Sequence, residues 1–173
     1  MNDLLDLRAG CWNLLVLPRQ RHKNLLFALA QLAEHSSLIV LDCGRQFDSS
    51  IVARAAHGRA EIIDRIKIQR AFICSEVATL LQQTPSGKTP VLILDLLTTF
   101  YDENVKIQTR KFLLESSLQH LQRLSRNTGV AVTTHFPPAS PDSFYLFQRL
   151  RSCASRVLIP EATPSDIRQL KLF

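Results

Sequence analysis

Two places in the sequence carry residues that could bind a nucleotide phosphate. The first, "SGKT" at residues 86–89, contains the Gly-Lys-Thr that ends a phosphate-binding loop. Such a loop leaves a strand, carries another glycine five positions before the second, and opens into a helix. Here Gln82 stands at the position of that other glycine, and Pro90 and an apolar run follow. We therefore interpret residues 86–89 as a Pro/Gly turn that enters a strand.

The second place, "LPRQRHKN" at residues 17–24, follows the first predicted strand, where a phosphate loop is expected. Aligned with G-x-x-x-x-G-K-[ST], it retains Lys23, replaces the hydroxyl residue by Asn24, and lacks both glycines. The glycines permit the backbone angles and the close approach by which N–H groups cradle phosphates. The sequence therefore predicts a degenerate nucleotide site, at which neither ATP nor Mg²⁺ is expected to bind.

The same loop is cationic, with Arg19, Arg21, His22 and Lys23 close together before a predicted helix. Basic residues at a helix N-terminus suit an anion or a nucleic-acid phosphate. A solvated loop that has lost its glycines together with its nucleotide accounts for the same residues. The sequence supports the two interpretations equally.

Polar residues follow three apolar runs, at positions where the sites of parallel α/β proteins gather. Asp95 ends "VLILD", as the Mg²⁺-orienting acid of nucleotide hydrolases does. His135 ends "VAVTTH", and Asp42 ends "LIVLD". For Asp42 we favour a structural role, and hydrogen bonding to a neighbouring loop is the alternative for Asp95 and His135.

Composition places the chain among soluble globular proteins. Its 173 residues are 46% hydrophobic and 21% charged, which fits one domain with a sizeable core. No apolar run approaches the length of a membrane span, and the N-terminus does not resemble a secretory signal. Four cysteines without a CxxC pair indicate reduced thiols in a cytoplasmic protein. Lys and Arg exceed Asp and Glu by 21 to 15, which favours polyanionic partners.

Short apolar runs alternate with longer amphipathic segments along the whole chain. Strands are predicted at 13–17, 37–44, 65–72, 91–97 and 130–136 and at two places after 155; helices are predicted at 23–35, from the N-cap Asp48, at 73–83, at about 105–126 and at 143–153. Strands separated by helices predict an α/β fold, with a mostly parallel sheet flanked by helices.

The longest predicted helix has a clear apolar stripe. Its core-facing residues are Ile107, Leu114, Leu118, Leu121 and Leu124. Its exposed side is predicted to carry polar residues, among them Arg110, Glu115 and Arg123.

The ordered set of segments resembles the core of the RecA/RadA recombinase-like ATPases. The matching segments are "SLIVLDCGRQFDSSIVARAA", "RIKIQRAFICSEVATLL", "PVLILDLLTTFYDE", "RLSRNTGVAVTTHF" and "FYLFQRLRSCASRVLIPEATPSDIRQLKLF". No single segment is specific for this family, but the order of the segments along the chain is. The resemblance covers Asn13 to Phe173. It implies one RecA-like domain over 1–173, with a P-loop NTPase fold that ends in a C-terminal β-hairpin.

The departures from that family concern hydrolysis. The family's water-activating glutamate falls on Gly44 or Arg45, and His135 stands where the family has its sensor glutamine. The DNA-binding loop after that strand is reduced to "PPASPDS". The degenerate nucleotide site would consist of Lys23, Asn24, Asp95 and His135. Loss of both the phosphate cradle and the base argues against an enzyme.

The resemblance implies a non-hydrolysing accessory protein in DNA recombination or repair. Its expected partners are single-stranded or junction DNA, an active recombinase, or a second copy of itself. The residues expected to contact DNA are Arg19, Arg21, Lys23, Lys106, Arg110, Arg149 and Arg151.

Two alternatives stay open. One is a weak DNA-dependent Mg-ATPase that uses Lys23, Asn24 and Asp95. The other is a protein-interaction module anchored by Phe144, Tyr145 and Phe147, which would otherwise pack on the core.

Overall fold

A single parallel sheet organises the molecule. The computed structural model describes residues 7–18 and 21–159, with only the backbone of His22. The strands are β1 Trp12–Val16, β2 Leu38–Asp42, β3 Ile66–Arg70, β4 Val91–Leu94, β5 Val130–Thr134 and β6 Arg156–Leu158. They lie in the order β3-β2-β4-β5-β1-β6, and every neighbouring pair is parallel. The predicted parallel α/β sheet is confirmed.

Helices connect the strands. They are α1 His22–His35, α2 Ser49–Ala55, α3 Ala60–Ile63, α4 Cys74–Gln83, α5 Ile107–Ser125 and α6 Pro141–Cys153, with a 3-10 helix at Thr98–Tyr101. The short α3 and the 3-10 helix were not predicted, because a single turn carries no readable periodicity. α6 begins earlier than predicted, since the Ser140 hydroxyl accepts the Ser143 N–H at 3.2 Å and Pro141 suits a first turn.

Both faces of the sheet are buried, which explains why its strands are apolar runs. On one face, Ile93 and Val132 pack with Leu81, Leu114 and Leu146 from α4, α5 and α6. On the other face, the strands pack against α1, α2 and α3 through apolar side chains such as Leu29, Val52 and Ile62. The predicted stripe of α5 is confirmed, with its four leucines buried and Ile107 partly buried.

The predicted N-cap of α2 is also confirmed. The Asp48 carboxylate accepts the N–H of Ser50 at 2.8 Å and that of Ile51 at 3.4 Å. The Ser50 hydroxyl, which donates to the same oxygen, holds the pKa of Asp48 below its usual value. An aspartate at this position satisfies N–H groups that the first turn leaves without partners.

The register of the sheet brings the three polar strand ends together. Asp42 of β2 lies beside Leu94 of β4, and Val132 of β5 lies beside Ile93. The residues that follow β4 and β5 therefore meet at the carboxyl end of the sheet.

The C-terminal part is described only as far as residue 159. β6 pairs with β1 in parallel, and the second arm of the predicted hairpin lies outside the described residues. None of the helices in the described part of the chain combines the length and apolarity that a membrane crossing requires.

Candidate functional site

Asp95 and His135 form a buried pair at the carboxyl end of the sheet. The His135 Nδ1 atom lies 2.8 Å from Asp95 Oδ1. The Thr98 hydroxyl donates to Asp95 Oδ2 at 2.6 Å. Asp95 is 1% exposed, so both carboxylate oxygens are engaged within the protein and shielded from water. The structural alternative for Asp95, hydrogen bonding to neighbouring segments, is what the structure contains.

The backbone of Asp95 is held in an unusual conformation. Its φ of 53° lies in the left-handed region, which few residues other than glycine adopt. Its N–H donates to the Thr133 hydroxyl at 2.9 Å, and its carbonyl accepts the Thr98 N–H at 3.2 Å. Bonds from β5 and from the 3-10 helix therefore hold Asp95 in place.

Gly44 packs directly against this carboxylate. A Cβ atom at position 44 would lie 2.5 Å from the Asp95 Cβ atom, so no side chain fits there while Asp95 keeps its place. The next residue, Arg45, is exposed, and its guanidinium carbon lies 5.2 Å from the centre of the Phe72 ring. The two positions implied for the water-activating glutamate are thus occupied by Gly44, where a side chain has no room, and by the cation Arg45.

Tyr101 completes the surroundings of His135. The two rings meet edge to face, with centroids 5.6 Å apart. Burial raises the pKa of the Tyr101 phenol, so it stays protonated near neutral pH. The imidazole is therefore held by a carboxylate on one atom and by an aromatic ring on its side.

Asp42 has the structural role that the sequence favours. Its Oδ1 accepts the Gln46 N–H at 2.8 Å, and its Oδ2 accepts the Phe47 N–H at 3.1 Å. Arg70 of β3 approaches the same Oδ2 at 3.3 Å. Asp42 therefore fixes the loop after β2.

That loop borders two clefts. One cleft has a volume of about 350 Å³ and is lined in part by Cys43, Phe72 and Asp102. Burial raises the pKa of the Cys43 thiol, and the neighbouring Asp42 and Asp95 raise it further. A protonated buried thiol is a poor nucleophile, so Cys43 is not a catalytic candidate.

Lys23 lies in the first turn of α1, and both Lys23 and Asn24 are exposed. Lys23 helps to line the other cleft, of about 500 Å³, together with Arg45 and Asp48. The structure thus places Lys23 beside the loop after β2, whereas Asp95 is engaged by His135 and Thr98. Arg19 and the side chain of His22 lie outside the described part of the structure.

The prediction that Arg110 is on the exposed side of α5 is wrong. Arg110 is 3% exposed, because it lies on the same stripe as Leu114, one turn away. Its Nη1 donates to the Phe100 carbonyl at 3.2 Å, and its Nη2 lies 3.1 Å from an oxygen of Asp142 in α6. Arg110 joins α5 to the 3-10 helix and to α6, and it does not present its charge to DNA.

The other predicted DNA contacts lie on three different helices. Arg21 and Lys23 are at the start of α1, Lys106 is the exposed N-cap of α5, and Arg151 is exposed in the last turn of α6. Arg149 makes a two-pronged ion pair with Glu115 of α5, at 2.6 and 2.8 Å. The Arg149 guanidinium holds the pKa of Glu115 below its usual value.

Exposed aromatic side chains occur on both α5 and α6. Phe144 is 56% and Tyr145 is 45% exposed, whereas Phe147 is buried, so core packing holds only for Phe147. The Lys111 ammonium lies 4.0 Å from the centre of the Tyr145 ring. Sequence reasoning missed Phe112, which is 73% exposed; its position off the leucine stripe was the signal.

Comparisons with known proteins show a likeness of structure only. No protein-family model and no curated protein matches the sequence. The crystal structure of the RadB recombinase is similar, with a TM-score of 0.66 and 14% sequence identity. The likeness covers 94% of this chain and 80% of that chain. At this identity it shows the fold alone, and that fold is the RecA-like one that the sequence predicts.

Proposed function

We propose that this chain is a non-hydrolysing RecA-like accessory protein of DNA recombination or repair. It binds the phosphates of single-stranded or junction DNA through basic side chains, or docks on an active recombinase. The recombination context is supported by the fold, which is similar to that of the RadB recombinase. The absence of hydrolysis is supported most by the closed surroundings of Asp95.

A Mg-nucleotide does not fit this arrangement. Mg²⁺ is bound through carboxylate oxygens and retained waters in nearly octahedral geometry. Both Asp95 oxygens already accept hydrogen bonds, from His135 and Thr98, and the residue is 1% exposed. Binding a metal there would require admitting the ion and its waters to a carboxylate that the protein buries.

The groups that would activate water and cradle phosphates are also missing. Position 44 has no room for a carboxylate beside Asp95, and position 45 carries a cation. The loop before α1 lacks the glycines that let backbone N–H groups approach phosphates. Together with the buried Asp95, these losses support a protein that does not hydrolyse nucleotide.

DNA binding is supported by charge. The formal net charge is +6, and Lys23, Lys106 and Arg151 are exposed. Contacts of such side chains with phosphates are electrostatic and not base-specific, so affinity falls steeply with salt.

The test is the salt dependence of single-stranded DNA binding in a variant with alanine at Arg19, Arg21 and Lys23. If all three contact phosphates, the slope of log affinity against log salt decreases by about 2. The matched control replaces Lys67, Lys88 and Arg126, three exposed cations distributed away from this loop. An unchanged slope in the first variant, or an equal loss in the control, contradicts the assignment of the loop.

A second candidate function, docking on a protein, is favoured by exposed aromatic side chains on α5 and α6. Phe112, Phe144 and Tyr145 are exposed there, and aromatic side chains are common anchors at interfaces. Serine at Phe112 and Phe144 should then abolish a concentration-dependent dimer or a complex with a recombinase.

The weak Mg-ATPase requires nucleotide binding that is lost in both Lys23→Ala and Asp95→Ala.

A further inference from the structure

Two segments at the carboxyl end of the sheet include residues that the family resemblance associates with DNA, namely Lys106 and part of the loop "PPASPDS". The 98–106 segment comprises the 3-10 helix and the turn that leads into α5. The 135–140 segment follows β5 and leads into α6. They are separated in sequence by the whole of α5, so their relative position depends on contacts between them.

Asp95 links the two segments through side chains. On one side, its Oδ1 lies 2.8 Å from Nδ1 of His135, the first residue of the 135–140 segment. On the other side, its Oδ2 accepts the hydroxyl of Thr98, the first residue of the 98–106 segment, at 2.6 Å. The edge-to-face contact of Tyr101 with the His135 ring is a second, direct link.

This link is buried and charge-assisted, which makes it costly to open. The side chains of His135 and Asp95 are 14% and 2% exposed. Hydrogen bonds to a carboxylate in such surroundings are stronger than those between neutral groups, and the loss of a donor to a buried carboxylate is costly. The two segments are therefore expected to open together.

We infer that Asp95 is a positioning residue that joins the 98–106 and 135–140 segments into one unit, whose arrangement does not depend on nucleotide. The inference rests on the proposed function, because DNA binding gives these segments their role. Its physical basis is that Asp95, which is 1% exposed, bonds to one residue of each segment. A nucleotide at the loop before α1 would have to reach this buried carboxylate in order to move either segment.

The test is amide hydrogen exchange of the full chain in three variants. Thr98→Val removes the hydroxyl with little change of shape, and Thr98→Ser retains it. Thr99→Val is the matched control, since the Thr99 hydroxyl is buried without a hydrogen-bond partner in the described part of the chain. Amides of α1, on the other face of the sheet, report any global unfolding.

In Thr98→Val, exchange should become roughly tenfold to a hundredfold faster in both segments, as expected for one charge-assisted bond. Thr98→Ser should restore slow exchange, and Thr99→Val should leave both segments as in the wild type. Faster exchange confined to the 98–106 segment, or an equal effect of Thr99→Val, overturns the inference.

The anisotropy of labelled single-stranded DNA, titrated with the protein, distinguishes failure of the proposed function from failure of the inference about Asp95. If the wild type does not bind at low salt, the DNA-binding part of the proposed function fails, whereas the exchange data still decide whether Asp95 couples the segments. If the wild type binds and the inference holds, Thr98→Val weakens binding severalfold and Thr98→Ser does not.

Discussion

Gly44 and Asp95 are in direct contact: a Cβ atom on residue 44 would lie 2.5 Å from the Cβ atom of Asp95 and 2.6 Å from its Oδ2. The loop after β2 thus packs against one side of the Asp95 carboxylate, and His135 and Thr98 bond to its two oxygens. The glycine is required here by the lack of space. The same contact leaves no room for a carboxylate at position 44, one of the two positions that the resemblance implies for the catalytic glutamate.

Gly44→Ala should destabilise the protein by about 1–3 kcal/mol, because the new methyl group forces Asp95 or the loop after β2 to move. Urea unfolding measures the loss. Gly87→Ala is the control, since a Cβ atom there meets nothing within 4 Å. Equal stability of the two variants would show that Asp95 moves aside freely.

His135→Leu should cost about 3 kcal/mol of unfolding free energy at neutral pH, because it removes one partner of a buried carboxylate. His135→Gln should cost much less, since its amide N–H₂ offers a donor near the same place. Chemical denaturation of both variants tests this. A leucine variant as stable as the glutamine variant would mean that water reaches Asp95.

Arg110→Met should cost about 1–3 kcal/mol, because the Phe100 carbonyl loses its donor, and should leave the salt slope of DNA binding unchanged. Lys106→Met, at an exposed position one turn away, should leave stability unchanged and reduce the salt slope of DNA binding. Unfolding and DNA titrations on the same samples compare the two. A reduced salt slope in Arg110→Met would place its charge at the DNA after all.

Glu115→Gln should lower stability by less than about 1 kcal/mol at pH 7, since the ion pair with Arg149 is partly exposed. The pKa of Glu115 is lowered in the folded state, so its ionised form stabilises the fold above the unfolded pKa. This contribution disappears as the pH falls through the lowered pKa. The difference between variant and wild type should therefore vanish in acid; a difference that persists there contradicts the ion-pair explanation.

The same variant tests whether Arg149 can serve DNA. Glu115→Gln frees the Arg149 guanidinium, so single-stranded DNA should bind more tightly and with a steeper salt slope. Glu61→Gln, an exposed change of equal charge on α3, is the control. Equal effects of the two changes would reduce Arg149 to a structural role.

The sequence predicted the fold well because its signals are local. Apolar runs gave the strands, and Asp48 was found as an N-cap because its carboxylate bonds only to Ser50 and Ile51 nearby. Arg110 was misplaced because a charged residue on an apolar stripe is usually exposed. Its burial depends on the Phe100 carbonyl and on Asp142, which is remote in sequence.

The candidate site was predicted only in part. Asp95 and His135 were both chosen as strand ends, but their contact could not be read from the sequence. It depends on the register of β4 and β5 and on the left-handed backbone of Asp95. Thr98 is only three residues from Asp95, but nothing local to Asp95 shows that His135 reaches its other oxygen.

The most direct measurement is the anisotropy of a labelled single-stranded oligonucleotide, titrated with the protein at low and moderate salt, with and without Mg-ATP. We predict saturable, salt-sensitive binding that Mg-ATP does not change, because the carboxylate of Asp95 is buried and bonded to His135 and Thr98. A marked change of affinity with Mg-ATP would show that the degenerate loop and Asp95 still form a working nucleotide site.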